Sequence, residues 1–363
     1  MKICQYTSAH KSNDVRIFLK ECSSLASAGH DVTLVAANCK TETINGVKVI
    51  GVEVSVGGRF SRMSKAAKAV FQEVLTIEAD VYHFHDPELL RFALALKRKG
   101  KKVIYDVHED VPRQILGKYW INKYLRKSIA SAFEIFENYV ARRMDFIVAA
   151  TPHIRERFLK SNKNCIDICN YPIIGEQFVS TDWNAKKEEL CYVGGITKVR
   201  GVVELVKAMD GIPAKLNMAG EYSPLELKQE LMQLPGWQNV NDFGFVGREK
   251  IYEILSSSKV GIVTLHPQDN YLDSLPIKMF EYMSAGIPVV ASDFPLWKEI
   301  VELNHCGICV DPQNPKEIAN AVKNILSQNK DAEQMGINGK KAVMEKYNWK
   351  IEEKKLLELY NSL

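Results

Sequence analysis

Asp273-Ser274-Leu275-Pro276-Ile277-Lys278-Met279-Phe280-Glu281-Tyr282-Met283-Ser284-Ala285-Gly286-Ile287-Pro288-Val289-Val290 is the stretch on which the reading of the fold turns. It joins a polar loop to a helix that opens around Pro276, stops that helix at Gly286 and enters an apolar strand. A helix leading directly into a short β-branched run is half of a βα repeat, the unit of a parallel sheet. The backbone N–H groups at such a helix start suit a diphosphate, and carboxylates such as Asp273 and Glu281 can accept hydrogen bonds from sugar hydroxyls. A nucleotide sugar needs both.

Outward from this stretch the alternation continues. Leu190 to Val193, Lys215 to Ala219, Val240 to Val246, Val260 to Leu265 and Pro288 to Ser292 read as strands, with helices near 200–209, 224–234, 249–257 and 276–285. Strand-like runs at 2–7, 31–36, 81–85, 102–107 and 145–150, with a helix at 15–28, form a similar earlier half. The class is therefore α/β, and 363 residues are too many for one ordinary core. Tyr171-Pro172 and the polar run Ser180 to Asn184 interrupt the periodicity, which predicts domains at 1–172 and 173–348. Trp349 to Tyr360 reads as an amphipathic helix with Ile351, Leu356, Leu357 and Tyr360 on one side, in need of a partner surface. Ligands of open α/β sheets bind beyond the carboxyl ends of the strands, so two such domains predict a cleft between them.

The strand ends carry the candidate chemistry. Tyr192-Val193-Gly194-Gly195-Ile196-Thr197-Lys198-Val199-Arg200-Gly201 is a strand, a glycine turn and a helix start with a cation, suited to close approach of a phosphate. Phe243-Gly244-Phe245-Val246-Gly247 and Leu265-His266-Pro267 end two further strands, and core packing competes with ligand contact for both phenylalanines. In the first half, His108 follows the strand ending at Val107, where a histidine can meet a ligand rather than sit in mid-strand. Asp106 and Glu109 accompany it. His83 and His85 alternate onto one face, but no third metal ligand is placed by the sequence, and Asp86 reads as the cap of a helix starting at Pro87. The loop Thr7 to Arg16 is long and polar, with Asp14 as an N-cap and with His10 and Arg16 as candidates for reaching a phosphate or an acceptor.

At Asp273 to Val290 the chain resembles the retaining glycosyltransferases of the GT-B fold, family 4, whose signature is two acidic residues separated by seven and followed by Ala-x-Gly-x-Pro-Val. The resemblance spans most of the chain, is strongest from 189 to 312, and implies a final helix, 349–363, that packs back on the first, acceptor-binding domain. It implies that Glu281 binds the ribose of the donor. Asp273 stands where the family usually has a Glu touching the transferred sugar, with Ser274, Leu275 and Pro276 beside it. Gly194, Gly195 and Arg200 would hold the diphosphate. Gly195 replaces a further family Arg, so Arg200 and Lys278 are left to supply the positive charge. Val246 would offer its backbone to the base, His266 would lie near the sugar, and His108 would meet the reacting sugar. Catalytic roles thus fall on His108, Asp273, Arg200 and Lys278.

The resemblance implies a reaction that moves a sugar from a nucleotide-diphosphate donor, UDP-linked by family analogy, with retention, onto a glycan or lipid-linked saccharide. Donor phosphate oxygens would assist deprotonation, with no cofactor and no metal. The rivals are a nucleotide-sugar epimerase or hydrolase of the same architecture and a non-catalytic nucleotide-sugar-binding protein.

Bulk composition narrows the classes. Hydrophobic residues at 46% and charged residues at 25% describe a globular chain, and a net charge of +4 is too mild to announce nucleic-acid binding. The start, Met1 to Tyr6, enters a strand-like run with no basic-then-apolar leader, and no window is apolar enough to cross a bilayer. Eight cysteines mostly within apolar runs fit reduced thiols, and Cys306-x-x-Cys309 has no second pair to complete a zinc site. A cytoplasmic location is expected. Between Arg113 and Arg143, Lys118, Lys123, Arg126, Lys127, Arg142 and Arg143 accompany Tyr119, Trp120, Ile121, Tyr124 and Leu125, a mixture suited to peripheral contact with an anionic membrane on its inner face.

Overall fold

The computed structural model describes residues 1–54, 59–118, 120–175 and 182–363, and only the backbone of 59–63. Tyr119, Ser180 and Thr181 lie outside the described residues. The chain divides into two compact units, Met1–Asn170 with Trp349–Leu363, and Tyr171–Asn348.

The first unit is built on β1 (Lys2–Thr7), β2 (Asp31–Ala37), β3 (Glu42–Ile44), β4 (Val47–Val52), β5 (Val81–Phe84), β6 (Lys102–Val107), β7 (Phe146–Ala149) and β8 (Cys165–Asp167), in the order β3-β4-β2-β1-β5-β6-β7-β8. The pairs are parallel except β3 with β4, which are antiparallel. β1 has β2 on one side and β5 on the other, so the crossovers reverse direction there. A crevice opens beyond the carboxyl ends at such a reversal. The loop after β1 and the residues after β5 and β6 therefore converge.

The second unit holds β9 (Glu189–Val193), β10 (Lys215–Ala219), β11 (Val240–Gly244), β12 (Val260–Val263), β13 (Val289–Ser292) and β14 (Gly307–Val310), in the order β11-β10-β9-β12-β13-β14. Its pairs are parallel, and the reversal falls at β9. The glycine turn of Gly194 and Gly195 follows that strand.

Three local readings are corrected. Asp86 precedes the turn at Pro87, but its side chain caps nothing there. The strand begun at Val240 ends at Gly244, which adopts φ +62°, so Phe245 and Val246 lie beyond it. The final helix, Trp349–Asn361, buries Trp349, Glu352, Leu356, Leu359 and Tyr360, while Ile351 faces solvent. A polar anchor sets that rotation. Glu352 accepts from the Cys169 amide at 2.7 Å and pairs with Lys355, which also reaches Asp167 at 3.0 Å. Asp14 does cap its helix, accepting from the amides of Arg16 and Ile17.

Candidate active site

In the second unit the site begins at the end of β9. Gly194 adopts φ +122° and Gly201 φ +72°, conformations that cost an L side chain energy. Space is as decisive at Gly201, where a Cβ would lie 1.8 Å from the Thr264 carbonyl oxygen. Gly195 serves a different purpose. Arg200 Nη1 donates to its carbonyl at 3.3 Å, and a Cβ on Gly195 would lie 2.7 Å from that nitrogen. The missing side chain lets the guanidinium lie across the turn.

The helix Ile277–Ser284 is tied to this turn, because the Val193 amide donates to Tyr282 Oη at 2.9 Å. No side chain caps the helix start at Pro276. The loop before it is pinned by Trp297, whose buried indole donates to the Ser274 carbonyl at 2.7 Å. Asp273, Ser274, Leu275, Pro276 and Glu281 are all half-buried on this loop and helix. His266 donates its amide to the Val199 carbonyl and pairs through Nε2 with Glu204 at 2.9 Å. The phenylalanines at the end of β11 are not core residues: Phe243 and Phe245 are 37% and 80% exposed, with Val246 half-buried between Phe245 and Gly247.

Lys278 departs from its expected role. Its Nζ lies 3.8 Å from the centre of the Tyr192 ring and is buried without a hydrogen-bond partner among the described residues. Burial, with the nearby charge of Arg200, drives its amine well below the ordinary lysine range. In this conformation Lys278 holds no ready ammonium for a diphosphate, and the half-buried Arg200, lying across the glycines, is the cation nearest the turn, while the exposed Lys198 pairs with Glu230. Cys306 and Cys309 also offer no ionised pair, since burial pushes both thiols up to about 12.

In the first unit, His108 is held from behind. Its Nε2 lies 3.1 Å from Asp106 Oδ2 and 3.2 Å from His85 Nδ1. Burial would raise Asp106, but Arg16 and His108 outweigh it and hold the carboxyl well below its usual range. An ionised carboxylate only accepts, so the Nε2 of His108 carries the proton and its other nitrogen is turned away from Asp106. His85 Nε2 lies 3.0 Å from Gln5 Oε1, and burial lowers this imidazole to about 4, so it is neutral.

Arg16 is the second correction. It is 3% exposed, its Nε and Nη2 donate to Asp106 at 3.0 and 2.8 Å, and Nη1 donates to the Ile168 carbonyl. It cannot reach a donor phosphate from there; it orders the carboxylate that orders His108. Glu21, His83, His85 and Asp106 bring ligand-type atoms within 4.8 Å of one another, partners that the histidine alternation lacked in the sequence. Arg16 already lies between the two carboxylates, with Nε 3.1 Å from Glu21. Burial pushes Glu21 well above its usual range, which leaves Arg16 and Asp106 as the compensated pair. The donor set thus has its cation from the chain itself.

His10 and Asp86 complete the cluster. His10 Nδ1 lies 2.8 Å from Asp86 Oδ1, while Asp86 Oδ2 accepts from the Thr7 and Ser8 hydroxyls and from the amides of Ser8 and Ala9. The rings of His10 and His108 are 4.9 Å apart. Sequence reasoning missed the roles of Asp86, Glu21, Tyr282 and Trp297. Asp86 stood directly after an apparent alternation of histidines, and a carboxylate at a strand end beside the reversal was the available signal.

Two parallel-sheet units, each with polar residues gathered where its strand order reverses, define the GT-B class of glycosyltransferases. The family model "Glycosyltransferase Family 4" matches residues 16–165 and "Glycosyl transferases group 1" matches 174–342. The chain belongs to this family of transferases, the group 1 glycosyltransferases of family 4. Among curated proteins it is 32% identical over 165 residues to an uncharacterised glycosyltransferase of Methanocaldococcus jannaschii, covering 44% of this chain and 41% of that protein. It is 24% identical to the alpha-galactosylglucosyldiacylglycerol synthase of Streptococcus pneumoniae, covering 67% of this chain and 68% of the synthase. Its fold is similar to that of sucrose-phosphate synthase from Thermosynechococcus elongatus, with TM-score 0.79, 17% identity and 99% and 98% of the two chains covered. It is similar also to HepE of Anabaena in complex with UDP and glucose, with TM-score 0.75, 14% identity and both chains covered in full.

Proposed function

We propose that this glycosyltransferase moves a hexose from a UDP-sugar, with retained anomeric configuration, onto a glycan or lipid-linked saccharide, as in surface polysaccharide assembly. The observation that carries the donor half is the pairing of the Gly194-Gly195 turn and Arg200 with the uncapped start of Ile277–Ser284, joined by the bond from Val193 to Tyr282. Positive charge and helix-start amides gather on one side, and Glu281 lies one turn into the helix. The HepE structure, solved with UDP and glucose, supports a uridine donor. His108 is the proposed contact to the reacting sugar and Arg200 the stabiliser of the leaving diphosphate.

The acceptor half rests on the helix Lys123–Ala141. Tyr124, Leu125 and Ile135 are 79%, 55% and 71% exposed, with Lys123 and Lys127 exposed among them. No helix of the described residues is long and apolar enough to cross a membrane. An apolar stripe edged by lysines suits the surface of an anionic leaflet, and the diacylglycerol-linked product named for the Streptococcus pneumoniae relative supports an acceptor carried there. The protein would then act at the cytoplasmic face, without a metal or cofactor.

Calorimetry with UDP tests the donor site. Glu281→Ala removes a charged acceptor worth about 1.5–3 kcal/mol, so affinity should fall by roughly tenfold or more. Equal affinity in mutant and wild type would remove Glu281 from the site. Product analysis with donor alone, then with acceptor, separates transfer from epimerisation or hydrolysis.

A further inference from the structure

We propose that Trp297 is a positioning residue for donor-sugar specificity: its indole fixes one peptide of the loop before the helix Ile277–Ser284, and that peptide, with Asp273, reads the hydroxyls of the transferred hexose. This rests on the donor reading above and adds to it the residue that aims the sugar-facing loop.

The clamp is built by the chain that follows β13. Ser292 ends that strand fully buried, and its hydroxyl donates to the Leu265 carbonyl at 2.7 Å. The helix Pro295–Leu303 then starts with proline in its first turn, and it buries Trp297, Ile300 and Val301, the i, i+3, i+4 spacing of one helix side. That side carries the indole to the Ser274 carbonyl, to which it donates at 2.7 Å. One short segment thus grips residues 265–274 at both ends. Between the two grips, the His266 amide donates to the Val199 carbonyl and ties the loop to the turn of Arg200. Trp297 is fully buried against Phe294, with ring centres 4.7 Å apart, so its N–H cannot follow a carbonyl that moves.

The direction of one amide follows from this bond. In a trans peptide the carbonyl and the N–H lie in one plane and point opposite ways. The Ser274–Leu275 peptide is trans, so a carbonyl held toward the buried indole turns the Leu275 N–H away from it. That N–H donates to no backbone acceptor among the described residues. Leu275 is half-buried directly before Pro276, which has no N–H of its own, and the helix start that follows is uncapped.

The chemistry of the donor assigns this loop to the hexose. With the diphosphate at the helix start and the ribose at Glu281 inside the helix, the loop on the other side of the start is left for the sugar. Hexose hydroxyls donate and accept, so a wall that tells one hexose from another needs donors and acceptors side by side. Asp273 supplies an acceptor and the Leu275 N–H a donor, two residues apart. Without the indole N–H, the 274–275 peptide plane is free to rotate and its donor loses its aim. Glu281, Arg200 and the glycine turn keep their own supports, so the loss falls on the sugar and not on the nucleotide.

Two variants isolate the bond. Trp297→Phe removes the N–H and part of the ring, whereas Trp297→3-benzothienylalanine, placed by stop-codon suppression, keeps the fused ring and exchanges only the N–H for sulfur. Calorimetry measures the affinity of each for UDP, UDP-glucose, UDP-galactose and UDP-N-acetylglucosamine. Both variants should bind the UDP-sugar that wild type prefers about tenfold more weakly, while UDP affinity stays within twofold. The spread of affinities among the three UDP-sugars should narrow as well. Unchanged UDP-sugar affinity in a folded variant overturns the proposal. So does a loss of UDP affinity by the same factor, which would make Trp297 a support of the whole donor site, and so does wild type that binds UDP but none of the UDP-sugars. Should Trp297→Phe not fold, the benzothienyl variant decides alone. Wild type that binds UDP-sugars as expected but transfers the sugar to no saccharide would overturn the transferase reading and leave the clamp standing.

Discussion

His108 and Gly201 show two ways in which one residue can be decisive. His108 is the proposed contact to the reacting sugar: its Nε2 is occupied by Asp106 and His85, so whatever it would offer a sugar comes from the opposite nitrogen. His108→Ala should therefore lower turnover more than UDP affinity, because its proposed partner is the reacting sugar and not the nucleotide. Steady-state kinetics at saturating donor is the measurement, and unchanged turnover would return His108 to a structural role. Gly201 is part of the frame. A methyl there meets the Thr264 carbonyl at 1.8 Å in a backbone conformation that alanine resists. Gly201→Ala should cost on the order of 3 kcal/mol of stability. Urea unfolding would read this as a lower midpoint with an unchanged slope, and a midpoint equal to that of wild type would mean that the turn can open without penalty.

At the scale of elements, the loop after β1 depends on a single carboxylate. Asp86 gathers Thr7, Ser8, Ala9 and His10, and its pKa of about 2 stands below the unfolded value of 3.8. For a depressed carboxyl the stabilisation is present above the unfolded value and is lost as pH falls through the folded one. The loop should thus keep its order to about pH 4 and lose about 2 kcal/mol of support between pH 4 and 2. Amide exchange at Ser8 and Ala9, compared with that in β6, would follow the loss, and equal protection at pH 2 and pH 5 would contradict it. This element also marks how far the sequence could be read. The strands beginning at Lys2, Val81, Lys102, Glu189 and Val289 were legible because apolar runs with turn residues at both ends leave little choice. The strands β3, β8 and β14 were not, being short and lying at sheet edges where the pattern is weak, and β4 was missed although it is six residues long and lies inside the sheet. The acid-helix signature and His108 could be read because their spacing is local. Arg16 and Lys278 were misread because a charged side chain next to a strand end can point inward. Partners 90 residues away, such as Asp106 for Arg16, decide the direction.

For the whole molecule, one exposed helix bears on where the protein works. The face formed by Trp120 and the helix Lys123–Ala141 exposes Tyr124, Leu125, Ile129, Ile135, Phe136 and Tyr139 within one element. So many large apolar side chains on one exposed helix need a partner surface, since solvent alone does not repay them. The cations beside them are not equivalent. Arg126 is engaged by the chain itself, donating to the Ile121 and Leu116 carbonyls, so reversing it would damage the helix entry. Lys118 lies over the Trp120 ring and Lys123 over that of Tyr124, at 5.5 and 5.0 Å, and Lys127 is exposed one turn further on. These three are the groups to reverse. Each basic residue near an anionic leaflet contributes about 1 kcal/mol, so a Lys118/Lys123/Lys127→Glu variant should lose at least about a hundredfold in vesicle affinity. Wild type should co-sediment with vesicles of phosphatidylglycerol and phosphatidylcholine at low salt, much less with phosphatidylcholine alone. It should release as the Debye length shrinks from about 30 Å at 0.01 M to about 8 Å at 0.15 M salt. The variant should stay in the supernatant while keeping its melting temperature and its affinity for UDP, because none of the three lysines belongs to the donor site. Wild type that ignores anionic vesicles at low salt would make this helix a solvated face and turn the search for an acceptor toward soluble saccharides.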